Sequence, residues 1–297
     1  HFPADEVVAL ASRRSLGSEV SYGDKTLKTK DLETFDFTGW DIALFAIGTE
    51  ATRLYAPKAV KAGCIVIDNS SLYRYDADVP LVVPEVNPEA VELVSKRGII
   101  ANPNCSTIIA LMALAPLHRA FGLKRATVAT YQAVSGAGAA GIWELRDQSA
   151  GALAAEQAPS GEPTGFEAQP EKFQHPIAFN LFSHDSAVGE DGYNEEERKL
   201  TLESRKILGA PDLAISATCV RVPVFRAHSE AIHAEFARPV SEAEARAVLS
   251  AAPGVRVVDD RQSNTFPMPI TATGQDETLV GRIRSDSSLP GGVALFV

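Results

Sequence analysis

Three cysteines and six histidines supply the candidate nucleophiles and acid–base groups of this 297-residue chain. Cys105 stands in the polar run Asn102-Pro103-Asn104-Cys105-Ser106-Thr107, directly before a long apolar stretch. Pro103 cannot continue a strand ladder, so it marks a break, and the spacing that follows predicts a helix over 107–120. A thiol at that place lies near a helix N-terminus, where unpaired N–H groups and the macrodipole favour the thiolate. A thiolate is the nucleophile that covalent aldehyde chemistry needs. A lone cysteine is otherwise a small buried hydrophobe. That reading suits Cys64, in Ala-Gly-Cys-Ile-Val-Ile, and Cys219, in Ala-Thr-Cys-Val-Arg-Val. The polar setting of Cys105 favours function.

Six histidines compete as its acid–base partner, and the residues alone leave the choice open. His118 lies on the apolar helix and reads as packing. His175 and His184 fall in a loop-rich stretch without context. His233 alternates with Ile232 and Ala234 and reads as outward-facing. His228 occupies a turn between two strands, in Arg221-Val-Pro-Val-Phe-Arg-Ala-His228-Ser-Glu, and is free to project into a cleft.

The elements that must hold these groups come in two styles. In the first third, apolar runs at 6–11, 41–47, 64–67 and 99–101 alternate with helical spacing at 51–62 and 88–96. Buried strands alternating with helices imply a doubly wound, Rossmann-like parallel sheet covered on both faces. After about residue 105 come strands at 125–134, 217–222, 231–237 and 255–258, helices at 195–208 and 241–250, and a loop-rich stretch at 151–194. That pattern reads as α+β with a mainly antiparallel sheet. The expected division is a nucleotide-binding domain over 1–104 and a catalytic α+β domain over 105–297. The chain starts at His1 and stops within an apolar strand-like run, so we expect a segment cut at both ends from a longer protein.

In a dinucleotide fold the end of the second strand reads the ribose 2′ position. Here residues 6–11 lead into Ser12-Arg13-Arg14-Ser15. Two arginines and two hydroxyls suit a 2′-phosphate and hence NADP; the competing reading is a solvated surface turn. A Gly-x-Gly-x-x-Gly at Gly136, Gly138 and Gly141 lacks a surrounding parallel βαβ unit and a closing acidic residue, so it reads as an active-site loop. The formal net charge of −10 disfavours nucleic acid and anionic membrane as partners. Scattered, odd-numbered cysteines form neither a disulfide framework nor a zinc site and suit a reducing cytoplasm. No run reaches the roughly 18–20 apolar residues of a membrane span.

Nine blocks in order make the chain resemble the aspartate-semialdehyde dehydrogenase family: 11–15, 68–74 (Asp-Asn-Ser-Ser-x-x-Arg), 79–87, 102–107, 131–138, 196–199, 219–224, 228–230 and 280–284. Asn104 separates it from N-acetyl-glutamyl-phosphate reductases, which carry Gly there. The resemblance implies Cys105 as nucleophile, His228 as acid–base and Gln132 as the group that orients the reacting centre. It implies Arg74, Asn104 and Lys199 as phosphate holders, and Glu196 and Arg221 as grips on the substrate amine and carboxylate. It implies NADP, with Ser12, Arg14 and Ser15 at the 2′-phosphate and Ser135, Gly136 and Gly138 beside the nicotinamide. It also implies no metal and a homodimer, which makes 105–297 the dimerisation domain as well. The family's opening glycine-rich turn and closing helix are not in this sequence, so the segment is expected to bind NADP poorly; Arg13 has no assigned role. The alternatives are a catalytically silent binding subunit and a related acyl-phosphate reductase.

Overall fold

The computed structural model describes residues 3–156 and 169–297. Its first part holds β1 (Leu10–Ala11), β2 (Glu19–Tyr22), β3 (Lys25–Lys28), β4 (Lys30–Asp31), β5 (Ile42–Phe45), α1 (Thr49–Lys61), β6 (Ile65–Asp68) and β7 (Ile99–Ala101). β1 pairs with β4 in parallel, β5, β6 and β7 form a three-stranded parallel sheet, and β2–β3 is a separate hairpin. Parallel neighbours need a crossover, which α1 provides between β5 and β6.

Two expectations are corrected here. Residues 88–96 are wound as 3-10 turns, with Pro88 at the start. The β5–β6 surface is also not covered on both sides. Val66 is fully buried, yet Leu44 is 77% exposed and Ile42 and Ile65 face out. The strands therefore alternate with period two, α1 packing one face while the other is open among the described residues. Of residues 6–11 only the last two pair as strand.

The second part begins with α2 (Cys105–Phe121) and β8 (Leu123–Gln132), then α3 (Ala139–Glu156), β9 (Phe182–Ser183), α4 (Glu195–Ile207), β10 (Ala214–Arg221), β11 (Ser229–Phe236), α5 (Glu242–Ser250), β12 (Val255–Val257), α6 (Pro269–Ala272), β13 (Thr278–Ser285) and β14 (Val293–Phe296). Seven strands form one sheet in the order β12-β13-β14-β11-β8-β10-β9. β8–β11, β11–β14, β13–β14 and β9–β10 are antiparallel, while β8–β10 and β12–β13 are parallel. The parallel β8–β10 pair means that the glycine-bearing segment after β8 does open a crossover, contrary to the sequence reading. The stretch expected as loop from 151 begins as helix, because α3 continues to Glu156; part of it, 157–168, lies outside the described residues.

α2 is the centrepiece. Ala110, Leu111, Ala113, Leu114, Ala115 and Leu117 are all fully buried, an apolar surface nearly all round that only a helix enclosed by other elements can carry. It packs on β8 and β11 below and on α4 and α5 beside it. Gly122, with φ 68, ends it in the left-handed conformation that needs no Cβ.

Candidate active site

The chain turns into α2 two residues earlier than expected. Asn104 is the N-cap, in extended conformation, and Cys105 is the first helical residue. The Asn104 side-chain carbonyl accepts from the N–H groups of Ser106 (3.0 Å) and Thr107 (3.3 Å), satisfying donors that a helix start leaves free. Three further contacts fix the cap. Its main-chain N–H donates to Glu203 Oε2 at 2.6 Å, its Nδ2 donates to Glu196 Oε1 at 2.7 Å, and Pro103 is buried before it.

α4 carries the carboxylates. Its own start is a capping box between Asn194 and Glu197. Glu196, Lys199 and Glu203 then fall on one face, and the two glutamates are buried. Glu196 gathers the site: Asn104 Nδ2, Gln132 Nε2 (3.2 Å) and Lys199 Nζ (3.4 Å) all donate to it. Against the cost of burial, His184 and these three donors hold its carboxyl below the usual range. Gln132, at the end of β8, accepts from Thr130 through Oε1 at 2.9 Å, so its amide orientation is fixed at both ends. Arg74 is buried and donates to Glu203 Oε1 (2.9 Å) and to the Asn69 carbonyl (3.1 Å).

The opposite wall is Arg221 and His228. Arg221, 3% exposed at the end of β10, donates through Nη1 to the Ala133 carbonyl at 2.9 Å. Its Nε and Nη2 both reach Asp185 Oδ1, at 3.3 and 2.9 Å, and Nη2 also meets His184 Nε2 at 2.9 Å. The edge expected to grip a substrate carboxylate therefore already holds Asp185. His228 Nδ1 accepts the Ala133 N–H at 2.9 Å. A neutral ring that accepts at Nδ1 must carry its proton on Nε2. Burial and the Arg221 guanidinium push its pKa down to about 4, so it is neutral. Gly136 lies between these side chains: a Cβ there would stand 3.3 Å from both Arg221 Nη1 and His228 Nε2.

Cys105 is exposed, but its thiol is not the ready thiolate that its helix position suggests. Desolvation and the Glu196 carboxylate, with Glu230 adding to them, raise it to about 11, and the Ser106 N–H offsets only part of this. Among the described residues no hydrogen bond joins Cys105 to His228.

An exposed cysteine at a capped helix start, walled by an amide, a lysine, two arginines and a neutral imidazole, sits in a chain with close relatives. The family model "Semialdehyde dehydrogenase, NAD binding domain" matches residues 1–94, and "Semialdehyde dehydrogenase, dimerisation domain" matches 114–297. The aspartate-semialdehyde dehydrogenase of Aquifex aeolicus is 48% identical over 298 residues, spanning 100% of this chain and 85% of that protein. The chain belongs to the aspartate-semialdehyde dehydrogenase family. The crystal structure of aspartate semialdehyde dehydrogenase II complexed with ASA from Vibrio cholerae superposes with a TM-score of 0.92 at 43% identity, covering 99% of this chain and 84% of that one. An aspartate semialdehyde dehydrogenase with NADP from Candida albicans gives a TM-score of 0.71 at 26% identity, covering 98% and 85%.

Within this family framework Glu196 and Glu203 bond Asn104, Gln132, Lys199 and Arg74 into one network beside Cys105. Arg221 and His228 are held to the main chain of Ala133, the residue after Gln132, with Gly136 against them. The turn 134–137 is pinned by the N–H groups of Val134 and Ser135 to the carbonyls of Val224 and Phe225. Gly138 has φ 82, and a Cβ on Gly141 would meet the Val134 carbonyl at 2.7 Å. The three glycines thus serve a close approach, a left-handed turn and a tight helix start, respectively. Ser12, Arg14 and Ser15 stand apart, exposed in the turn after β1. Arg13 points elsewhere, pairing with Asp31 and Glu33 at 3.6 and 3.0 Å. Glu203, His184, Asp185 and Glu230 lie near these side chains without a role assigned from sequence, although His184 is one of the six candidate histidines and Glu230 falls in the block 228–230. Strand parity with Ile232 and Ala234 is the signal that could have placed Glu230 inward.

Proposed function

We propose that the chain catalyses the NADPH-dependent reductive dephosphorylation of L-aspartyl 4-phosphate to L-aspartate 4-semialdehyde through a thioester on Cys105, reversibly. The observation that carries this reading is the exposed Cys105 thiol at the first position of α2, with its cap tied to Glu196 and Gln132. The Cys105 thiol loses its proton to the departing phosphate, its sulfur bonds the substrate carbonyl carbon, and the carbon–oxygen bond to phosphate breaks. After reduction the carbon–sulfur bond breaks, releasing the aldehyde and restoring Cys105. Arg74 and Lys199 are the cations at hand for that anion, and Asn104 completes the set. Both cations are paired with Glu203 and Glu196, so phosphate binding loosens existing ion pairs.

NADPH, when bound, supplies the hydride that reduces the thioester. Two features of this chain fit it. Ser12, Arg14 and Ser15 present hydroxyls and a guanidinium without an ion-pair partner among the described residues, as a 2′-phosphate requires. The bare backbone at Gly136 leaves room against Arg221 and His228. His228 acts as a neutral hydrogen-bond donor through Nε2–H to the oxygen of the tetrahedral intermediates, because its Nδ1 is committed to Ala133. Arg221 holds the substrate carboxylate once Asp185 yields its edge, and Glu196 faces the amine. A homodimer through the dimerisation domain, in a reducing cytoplasm, completes the reading.

The test is phosphate-dependent reduction of NADP by the complete protein with aspartate semialdehyde, beside the same assay for Cys105→Ala. Turnover is expected from the first and none from the second. Retained turnover by Cys105→Ala would remove the thioester route. Faster turnover of the glutamyl homologue would transfer the chain to another acyl phosphate.

A further inference from the structure

Glu230 is used by none of these steps, and its surroundings are unusual. It is fully buried, and among the described residues neither of its carboxyl oxygens has a hydrogen-bond partner. On β11 it lies across from Thr130 of β8, which lies across from Cys219 of β10, so the three side chains form one row under α2. A cavity lined by Ile109 together with Ala227, His228 and Ser229 shows that the early turns of α2 meet the start of β11. The hydroxyls of Ser106 and Thr107, in the first turn of α2, are likewise buried and unpartnered. A buried carboxylate without a cation or a donor is costly, and such a group takes up a proton instead.

Among the described residues no ion pair or hydrogen bond reaches the Glu230 carboxyl. α2 brings Ile109, one turn after Cys105, against the start of β11. β8 brings Thr130 and the uncharged Gln132, and β10 brings Cys219. Across β14 the bonds to Val297 are main-chain only. His228, two residues earlier, is neutral, and the α4 carboxylates Glu196 and Glu197 are of like sign. Burial alone pushes the Glu230 carboxyl well above the usual carboxylate range. Its charge, once formed, raises both Cys105 and Cys219.

We propose that Glu230 is a positioning residue for the nucleophile: it stands behind Cys105 as an uncharged carboxylic acid, and loss of its proton at alkaline pH suppresses thiolate formation at Cys105. This inference rests on Cys105 being the reactive thiol of the proposed function. It assigns Glu230 no bond to substrate; its effect passes through the sulfur.

The experiment is the pH dependence of iodoacetamide labelling of Cys105, followed on the Cys105 peptide by mass spectrometry, in the full chain and in Glu230→Gln. Glu230→Gln keeps the shape and cannot ionise. Its labelling midpoint is expected to fall by about one pH unit, the size of a nearby like charge removed, and the alkaline descent of kcat/KM to move upward with it. Coincident labelling curves overturn the proposal. A second measurement needs no variant: the infrared spectrum of the wild-type chain at neutral pH should contain the carbonyl stretch of a protonated buried acid, lost reversibly on alkaline titration. Absence of that band also overturns it. Failure of the underlying reading looks different, because alkylated protein would then retain dehydrogenase activity whatever the labelling curves show.

Discussion

Arg221 has five N–H donors, and in the resting structure three are taken: Nε and Nη2 by Asp185 and Nη1 by the Ala133 carbonyl, while Nη2 also lies 2.9 Å from His184 Nε2. A substrate carboxylate must therefore displace Asp185, and only a guanidinium keeps several donors on both sides during that exchange. Arg221→Lys is expected to raise KM for aspartate semialdehyde at least about tenfold while kcat falls less, since what is lost is binding common to ground and transition states. Steady-state kinetics on both variants checks this, and an unchanged KM would remove Arg221 from the pocket. His228 gives a second prediction. With its pKa near 4, it stays neutral from pH 5 to 8, so kcat/KM should show no step near 6.5, the value of an unperturbed imidazole. A clear step there, absent in His228→Ala, would mean that the ring titrates in the working range. The side chains proposed for catalysis could be singled out from sequence because each belongs to a short contiguous block. Glu203 was not: it meets Arg74 across 129 positions, and no local pattern announces that distance. His184 and Asp185 were hidden in a stretch with no periodicity to place them.

At the scale of elements, the start of α2 is the joint on which the site turns. The Asn104 amide caps the helix, binds Glu196, and its main chain binds Glu203, so one residue couples α2 to α4 at two carboxylates. Asn104→Ala removes the cap and one of those couplings. The cap alone contributes about 0.5–2 kcal/mol, and Glu196 loses a donor besides. Urea denaturation should show a loss in that range, and turnover should fall more steeply than stability because Cys105 is the next residue. Equal stability to wild type would show that the cap is not formed. Helix spacing foretold α1, α2, α4 and α5 well, since each buries an apolar stripe or begins with a capping residue. It misjudged residues 88–96, where Pro88, two glutamates and two valines wind as 3-10 turns, and it did not foresee how far α3 runs, since that helix shows no apolar face. The strands were found as runs, but which of their faces is covered depends on neighbours far along the chain.

Across the whole molecule, buried ionisable groups set the pH limits of stability from both sides. Asp286, held at about 2 by His233 and Ser288, and Glu196 and Asp185, held below their usual range, have folded values lower than unfolded ones. Their contribution is complete above the unfolded carboxylate range and is lost as pH falls towards the folded values. Glu230 has the opposite sign. Its folded value is raised by burial, so its contribution is complete below the unfolded carboxylate range and is lost as pH climbs from that range to the folded value. The melting temperature should therefore fall on both sides of a maximum, each limb assignable. Asp286→Asn is expected to melt below wild type at neutral pH, with the gap closing towards pH 2. Glu230→Gln is expected to melt above wild type on the alkaline limb and to lose that advantage on the acid side. For a chain of this size each kcal/mol corresponds to roughly 2–4 °C, within reach of scanning calorimetry. Parallel curves for wild type and Glu230→Gln across the alkaline limb would mean that the carboxyl is already ionised in the fold. A buried charge with two unpartnered oxygens would then need a counter-ion that none of its neighbours supplies.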